Sequence, residues 1–522
     1  MSEPRRLCRV LVVFLSGVAC SDGGGAADAG DDADGETAGE AGDDGGTGED
    51  AAVPDDASDG EAFCPDGITC AADFPCWHPA STYDAHCEGN VRMTPQEVSC
   101  EEICGTPCCG GGGCRYASEP CAAGTTCREE GGGTRCVSEC GVIATFADGA
   151  TYLDTVWVSA ERGNDGTADG TWEHPYGTVE AALRAAEAGD DVRLEAGTYE
   201  GDGWVEGLQG TASNPIRVGG VSAVPGEMPV IDGGGEGLHL VDPRYVVLEN
   251  LIVRGTTSNG INIDDGGDDS TPAEYVLLRN VTIEDVGTGG NNDCLKLSGL
   301  DRFFVLDGHF ARCGAGGTQG SGIDMVGCHD GTIAGNAFDT MGGNAVQGKG
   351  ATARIIIARN TIVDGGARAL NLGGSTGLPY FRPPGADYEA RDLWAFSNVI
   401  VGSEAPIAFV GCDGCLAANN TILDPGRWVV RILQESVDGF VPCRNGRFVN
   451  NLIVYSSGVI STEVNVGPDT LPDTFTFSHN LWFDEDDPGS APSLPVTEDS
   501  SVLSDPLLVA PDAGNYALGT GS

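Results

Sequence analysis

The sequence predicts an all-β chain whose main domain is a parallel β-solenoid with one helix capping its start. Three observations predict it. A short apolar phrase closing on Asn recurs through the second half of the chain, at intervals of 22–38 residues. Within each copy apolar residues alternate with period two, as a half-buried strand requires. Gly makes up 81 of 522 residues without a three-residue period, which excludes collagen and fits a fold of many tight turns. A β-sandwich would instead show hairpin signals every 8–12 residues or so. The chain carries 27 Lys+Arg against 79 Asp+Glu, a formal charge of −52, although only 20% of residues are charged. Scarcity of bases argues against nucleic acid as a partner, because phosphate neutralisation needs clustered Lys and Arg. It argues equally against adsorption to anionic lipid.

Residues 1–20 read as an export signal. Arg5, Arg6 and Arg9 precede an apolar stretch at 10–18 that is too short to span a bilayer. Gly17-Val18-Ala19-Cys20 resembles a bacterial lipoprotein signal, which implies acylation of Cys20 and a lipid anchor in a bacterial membrane; Gly17 departs from the usual Leu. Residues 21–62 hold 15 Asp and Glu, no Lys or Arg, and mostly Gly and Ala besides. Such a stretch cannot bury enough apolar surface to order itself, so it is expected to be a disordered acidic linker. Together these segments place the protein in the bacterial cell envelope, as an outer-membrane lipoprotein or extracellularly.

Residues 63–141 form a cysteine-rich module with thirteen of the 21 Cys. In an exported chain this density reads as a disulfide framework. Zinc is the alternative, since Cys104-Gly-Thr-Pro-Cys108 has knuckle-like spacing and His78 and His86 are near in sequence.

Residues 152–522 are expected to form the solenoid, as a monomer. Its phrase begins as Val246-Val-Leu-Glu-Asn250 and Val276-Leu-Leu-Arg-Asn280, passes a degenerate copy at Gly308, and continues at Asn336, Asn360, Asn398, Asn420, Asn451 and Asn480. The Asn is expected at a turn, where its side chain tolerates a left-handed backbone and can exchange amide hydrogen bonds from coil to coil. Val156-Trp-Val-Ser, Gly163-Asn-Asp-Gly, His174-Pro-Tyr-Gly-Thr, a helical pattern at 179–188 and Val192-Arg-Leu-Glu-Ala-Gly-Thr-Tyr199 resemble the opening of bacterial right-handed parallel β-helix proteins of the pectate-lyase-like superfamily. In that group the helix caps the coil stack. The closing segments at 504–509 and 516–518 resemble its final coil. The scaffold carries lyases, hydrolases, adhesins and inert stalks, so function must come from the site.

A second strand in each coil supplies a candidate site. Ile261, Leu295, Ile323, Val346 and Leu370 point inward, which sends Asn262, Lys296, Asp324, Gln347 and Asn371 outward in one column. The resulting polar strip suits a linear polymer, an acidic polysaccharide or another glycan. Tyr380, Phe381 and Arg382, in a 38-residue interval, are placed to stack on sugar rings. Asp264, Asp265 and Asp293 beside the strip form a possible calcium set, with a metal-free polar loop as the alternative.

Lys349 lies between two glycines, which would admit a substrate to the backbone, and Arg368 follows about one coil later. This pair resembles that of the chondroitinase B and alginate lyase β-helices, and Asp293, Asp324 and Lys349 over three coils loosely resemble the family 9 pectate lyases. The resemblance implies Lys349 as the base that removes the proton α to a uronate carboxylate, with Arg368 as its helper. The expected function is therefore β-elimination on acidic polysaccharide. A non-catalytic glycan-binding or adhesin-like β-helix is the alternative, and glycoside hydrolysis on the same scaffold the third.

Overall fold

The computed structural model describes residues 143–519 except 225, 288–290, 315, 316 and 318, together with backbone strands between 86 and 138. Cys20, the acidic linker and the side chains of the cysteine-rich module lie outside the described residues. Two compact units divide between Ala144 and Thr145. In the first, His86–Glu88, Val91–Ser99 and Gly112–Pro120 form an antiparallel sheet. Thr125–Glu130 and Gly133–Ser138 form a hairpin whose register sets Cys127 opposite Cys136. The second unit begins ahead of residue 152. Phe146 packs edge-on to Tyr245 and Tyr275, at 5.7 and 6.1 Å between ring centroids.

That unit is a right-handed parallel β-helix. Its site-bearing face is a ten-stranded parallel sheet: β1 (Gly203–Glu206), β2 (Leu238–Val241), β3 (Ile261–Asp264), β4 (Leu295–Ser298), β5 (Ser321–Val326), β6 (Asn344–Lys349), β7 (Arg368–Gly373), β8 (Ile407–Val410), β9 (Val430–Leu433) and β10 (Val464–Val466). Nine steps of ~4.8 Å make this face about 43 Å tall. The other strands of each coil form the remaining walls; early coils run continuously through a bend, as in Arg244–Arg254 and Ala273–Val286. Leu238, Ile261, Leu295, Ile323, Val346, Leu370, Ile407 and Val430 stack inward and are fully buried. Burial of each such side chain is worth roughly 1.5–3 kcal/mol. A one-residue slip would turn all of them to solvent, which is what holds the register.

The Asn repeat divides into two structural roles. Asn250 and Asn280 are left-handed (φ 55° and 51°), and the Asn280 amide donates to Asn250 Oδ1 at 2.8 Å. From Asn336 onward the left-handed residue is the one before, in Gly335, Arg359, Ser397, Asn419, Asn450 and His479. The later Asn side chains instead point inward and form a buried ladder. Asn398, for example, accepts at Oδ1 from the backbone N–H and the amide of Asn360, both at 3.0 Å. It donates to Ile357 O at 2.9 Å and to Asn420 Oδ1 at 3.0 Å. Gly308 N–H ends the ladder on one side, and Glu498 receives the Asn480 amide on the other. An all-turn role for these residues is thereby corrected: the side chains of the later copies satisfy coil corners that would otherwise bury unpaired backbone groups.

Helix α1 (Val179–Ala185) is shorter than the periodicity suggested. Thr178 caps it, its hydroxyl accepting from Ala181 N at 3.2 Å, and Val179, Ala182 and Leu183 are buried against the first coil. The C-terminal segment is not another coil. The last parallel bridges are Ser478 to Asp499 and Leu481 to Val502, and Leu508–Ala510 pairs antiparallel with Asn515–Leu518. Disulfides join Cys294 to Cys313 and Cys412 to Cys415. Cys328 and Cys443 are buried thiols whose pKa burial pushes up to about 12, so they are inert at neutral pH. No helix among the described residues is long and apolar enough to cross a membrane.

Candidate functional site

The register brings Asn262, Lys296, Asp324, Gln347 and Asn371 into one outward column across β3 to β7. The column is longer than the five residues read from sequence. It begins at Trp204 and His239 and continues through Ala408, Arg431 and Asn465.

Its centre is a buried charge ladder. Asp324 Oδ2 meets the Lys296 ammonium, and Asp324 Oδ1 lies 3.4 Å from Lys349 Nζ. Lys296 also lies 3.4 Å from Asp293 Oδ2, and the other Asp293 oxygen accepts from Ser321 N at 2.7 Å. Both carboxylates are fully buried. Burial and the neighbouring Asp324 push Asp293 up to about 6. Asp324 is desolvated as well, but Lys296 and Lys349 hold its carboxyl below the usual range. Lys296 is raised: its two carboxylate partners outweigh the cost of burying the ammonium.

Lys349 stands at the waist of a two-part cleft. A cavity of about 360 Å³ on one side is lined by Lys296, Ser298, Lys349, Tyr380 and Arg382 among others. One of about 510 Å³ on the other is lined by Gln347, Lys349, Arg368, Asn371, Arg431 and Glu435 among others. Lys349 and Arg368 thus share a cavity, but their partners differ: Arg368 donates to Glu435 Oε1 at 2.6 Å. The glycines flanking Lys349 do not open its backbone to a substrate. Gly348 is packed, an added Cβ meeting Thr352, Leu393 and Met325 at 3.1–3.3 Å, and Gly350 makes a left-handed turn. Gly374 lies beside the lysine, where a Cβ would stand 2.6 Å from Gln347 Nε2 and 3.3 Å from Lys349 Cδ.

The insertion within the 38-residue interval forms the roof of the smaller cavity. Buried Glu389 pins it, accepting from Gly350 N and Thr376 N at 2.9 Å each. Tyr380 is 66% exposed, whereas Phe381 is buried against Phe440 and cannot stack on a ligand. Arg382 reaches back to Asp265 Oδ2 at 2.8 Å.

That ion pair bears on the calcium set. Asp265 is committed to Arg382, Asp264 to His239 Nε2 at 2.6 Å and Asp293 to Lys296. The three do not converge, and among the described residues no three His, Cys, Asp or Glu side chains gather as metal ligands. As placed here, they do not fit a calcium ion.

Sequence reasoning missed Arg431, Glu435, Trp204 and His239. Arg431 and His239 stand on the same period-two column, so extending the alternation by two coils each way would have found them. At the β1 end the strip turns acidic. His239 Nδ1 and Nε2 meet Glu236 and Asp264 at 3.1 and 2.6 Å, and hydrogen bonds to Asp264 first and Glu236 second raise its pKa to about 9. Asn262 donates within this group, to Glu236 at 3.4 Å. Trp204 is half exposed beside it.

No protein-family model matches the chain, and no curated protein does either. Among solved structures it is similar to an alginate lyase from Paenibacillus sp. str. FPU-7, at 16% identity over 67% of this chain and 99% of that one, with a TM-score of 0.40. It is similar to a GH136 lacto-N-biosidase from Eubacterium ramulus at 17% identity, over 67% of each chain, with a TM-score of 0.42. Similarity to pectate lyase Pel9A is 12%, over 72% of this chain and 92% of that one, with a TM-score of 0.40. The strand pairing itself, not these distant likenesses, carries the fold.

Proposed function

We propose that the protein binds acidic polysaccharide along this face and cleaves it by β-elimination, tethered in the bacterial cell envelope through Cys20. The observation that carries the reading is Lys349 at the junction of two cavities, with Arg368 and Arg431 in the wall of the larger. Elimination removes the weakly acidic C–H beside a uronate carboxylate. Lys349 as the base takes that proton, the electron pair forms the C=C bond, and the glycosidic C–O bond breaks. The leaving oxygen collects a proton from water in the open cleft. Arg368 and Arg431 offset the charge that grows on the carboxylate as it becomes enolate-like.

One observation favours the second reading, a glycan-binding β-helix without turnover. Lys349 is tied to Asp324 and Arg368 to Glu435, so both cations are partly neutralised before a substrate arrives. Hydrolysis is less well supported, because Asp293 and Asp324 are fully buried and both are engaged by lysines.

The test is a panel of uronate polymers, with and without added Ca²⁺, followed by the ultraviolet absorbance of the unsaturated product. Lys349→Ala should lower the rate by roughly 10²-fold or more if it is the base. Unchanged turnover in that variant removes Lys349 from the mechanism. Retention of a uronate polymer by the native protein, with no product, favours the binding reading.

A further inference from the structure

We propose that Arg431, Arg368 and Asn371 form a subsite for one sugar unit that carries an anionic group beside a free hydroxyl. The guanidinium pair takes the carboxylate or sulfate, and Asn371 Oδ1 accepts the hydroxyl proton. The proposal deepens the glycan reading above and rests on it.

Asn371 supplies the first observation. It stands on the outward column of β7, lines the larger cavity and is only 2% exposed, yet its Oδ1 has no hydrogen-bond partner. Neighbouring amides on the same floor are engaged. Gln347 Nε2 donates to Gly373 O at 3.4 Å, and Asn344 Nδ2 donates to Ser321 Oγ and Gln347 Oε1 at 3.2 and 3.3 Å. A buried amide oxygen without a donor is costly, and a ligand O–H removes that cost. A carboxylate or sulfate cannot, since it has no proton to give at neutral pH. The ligand must therefore bring a donor as well as a charge.

Arg431 supplies the second, independent observation. Among the described residues no carboxylate lies within ion-pair distance of it. Its Nε donates to Asn465 Oδ1 at 3.1 Å, and its guanidinium lies 4.2 Å from the Trp428 ring centroid. Arg368 shares the same wall, and Glu435 is paired to Arg368. The wall thus holds two guanidinium groups and one carboxylate, a net positive charge facing a cavity of about 510 Å³. The rung between Asn371 and Arg431 is Ala408, a small and fully buried side chain. Rungs two steps apart are ~9.6 Å apart, within reach of one pyranose extended by an Arg side chain. The opposite end of the strip carries Glu236 and Asp264 around His239, so an anionic unit is favoured here and repelled there.

Calorimetry on the full chain tests this with three tetrasaccharides: a uronate, a sulfated sugar and a neutral one. Wild type should bind an anionic set and not the neutral one, and the tighter anionic set identifies the group recognised. Arg431→Gln should weaken that binding roughly 10- to 100-fold and flatten its salt dependence, with Arg431→Lys intermediate. Asn371→Ala should weaken it roughly 2- to 10-fold at unchanged salt dependence. Unfolding temperatures of the variants, matched to wild type, confirm that the fold persists. The subsite is overturned if no anionic saccharide binds, if the neutral one binds as tightly, or if Arg431→Gln and Asn371→Ala both bind like wild type. Uronate binding without unsaturated product would end the elimination reading while leaving the subsite standing. Product formed with undiminished KM in both variants would do the reverse.

Discussion

Asp324→Asn takes one buried negative charge from between two lysines, and its cost can be worked from the geometry. Two unit charges 3.4 Å apart, the separation of Asp324 Oδ1 from Lys349 Nζ, interact by about 5 kcal/mol at an effective dielectric of ~20. Contact with Lys296 adds a second pair, but neutralising Asp324 also returns its own desolvation cost. Breaking one side of a buried ion pair costs ~3–5 kcal/mol. The lower end applies here, because Asp293 stays 3.4 Å from Lys296 and keeps that ammonium compensated. We therefore expect Asp324→Asn to lose about 3 kcal/mol in urea unfolding at pH 7. The pH profile gives a second readout. Asp293 is raised from 3.8 to about 6 by burial first and Asp324 second. A carboxyl raised on folding contributes stability that is full below its unfolded value and lost as pH rises through the folded one. Wild type should thus lose stability from this group between about pH 4 and 6, and Asp324→Asn should flatten that decline. A loss below ~0.5 kcal/mol with an unchanged pH slope would refute the ladder as a stabilising unit.

Four further outcomes follow from other contacts. His239, raised from 6.5 to about 9, contributes stability that is full below pH 6.5 and lost as pH rises through 9. The shift is worth at most ~3.4 kcal/mol, and about 1–2 after solvent screening; His239→Gln should abolish that alkaline loss in thermal melts. Asn398→Ala strips the acceptor from two Asn360 donors in mid-ladder and should cost ~3 kcal/mol or more. Glu498→Gln at the ladder's end should cost ~1 kcal/mol, measured in the same urea titration. Tyr380→Ala should weaken a bound glycan roughly 3- to 10-fold by calorimetry while leaving the unfolding temperature unchanged, since the ring is largely solvent-exposed.

The outward column was readable because alternation is local: once Ile261 and Ile263 face the core, Asn262 cannot. The inward stack and the five central strip residues follow from that rule alone. The Asn repeat was readable as a repeat but not as two roles. Which residue turns left-handed depends on a one-position offset between Asn250 and Asn336 that both copies hide behind the same letter. The Arg382–Asp265 pair spans 117 residues and Arg368–Glu435 spans 67, and no periodicity carries such pairings.

The sequence by itself thus determined the solenoid, its coil count over the repeat and the face that carries polar side chains, because strand alternation and corner chemistry act within a few residues. Only the tertiary structure decided which charges neutralise one another. Coil length varies from 22 to 38 residues, so stacking, not sequence distance, sets which carboxylate meets which base. That stacking tied Asp264, Asp265 and Asp293 to three different cations, and it left Arg431 without a carboxylate at ion-pair distance and Asn371 Oδ1 without a donor, both in residues lining the larger cavity.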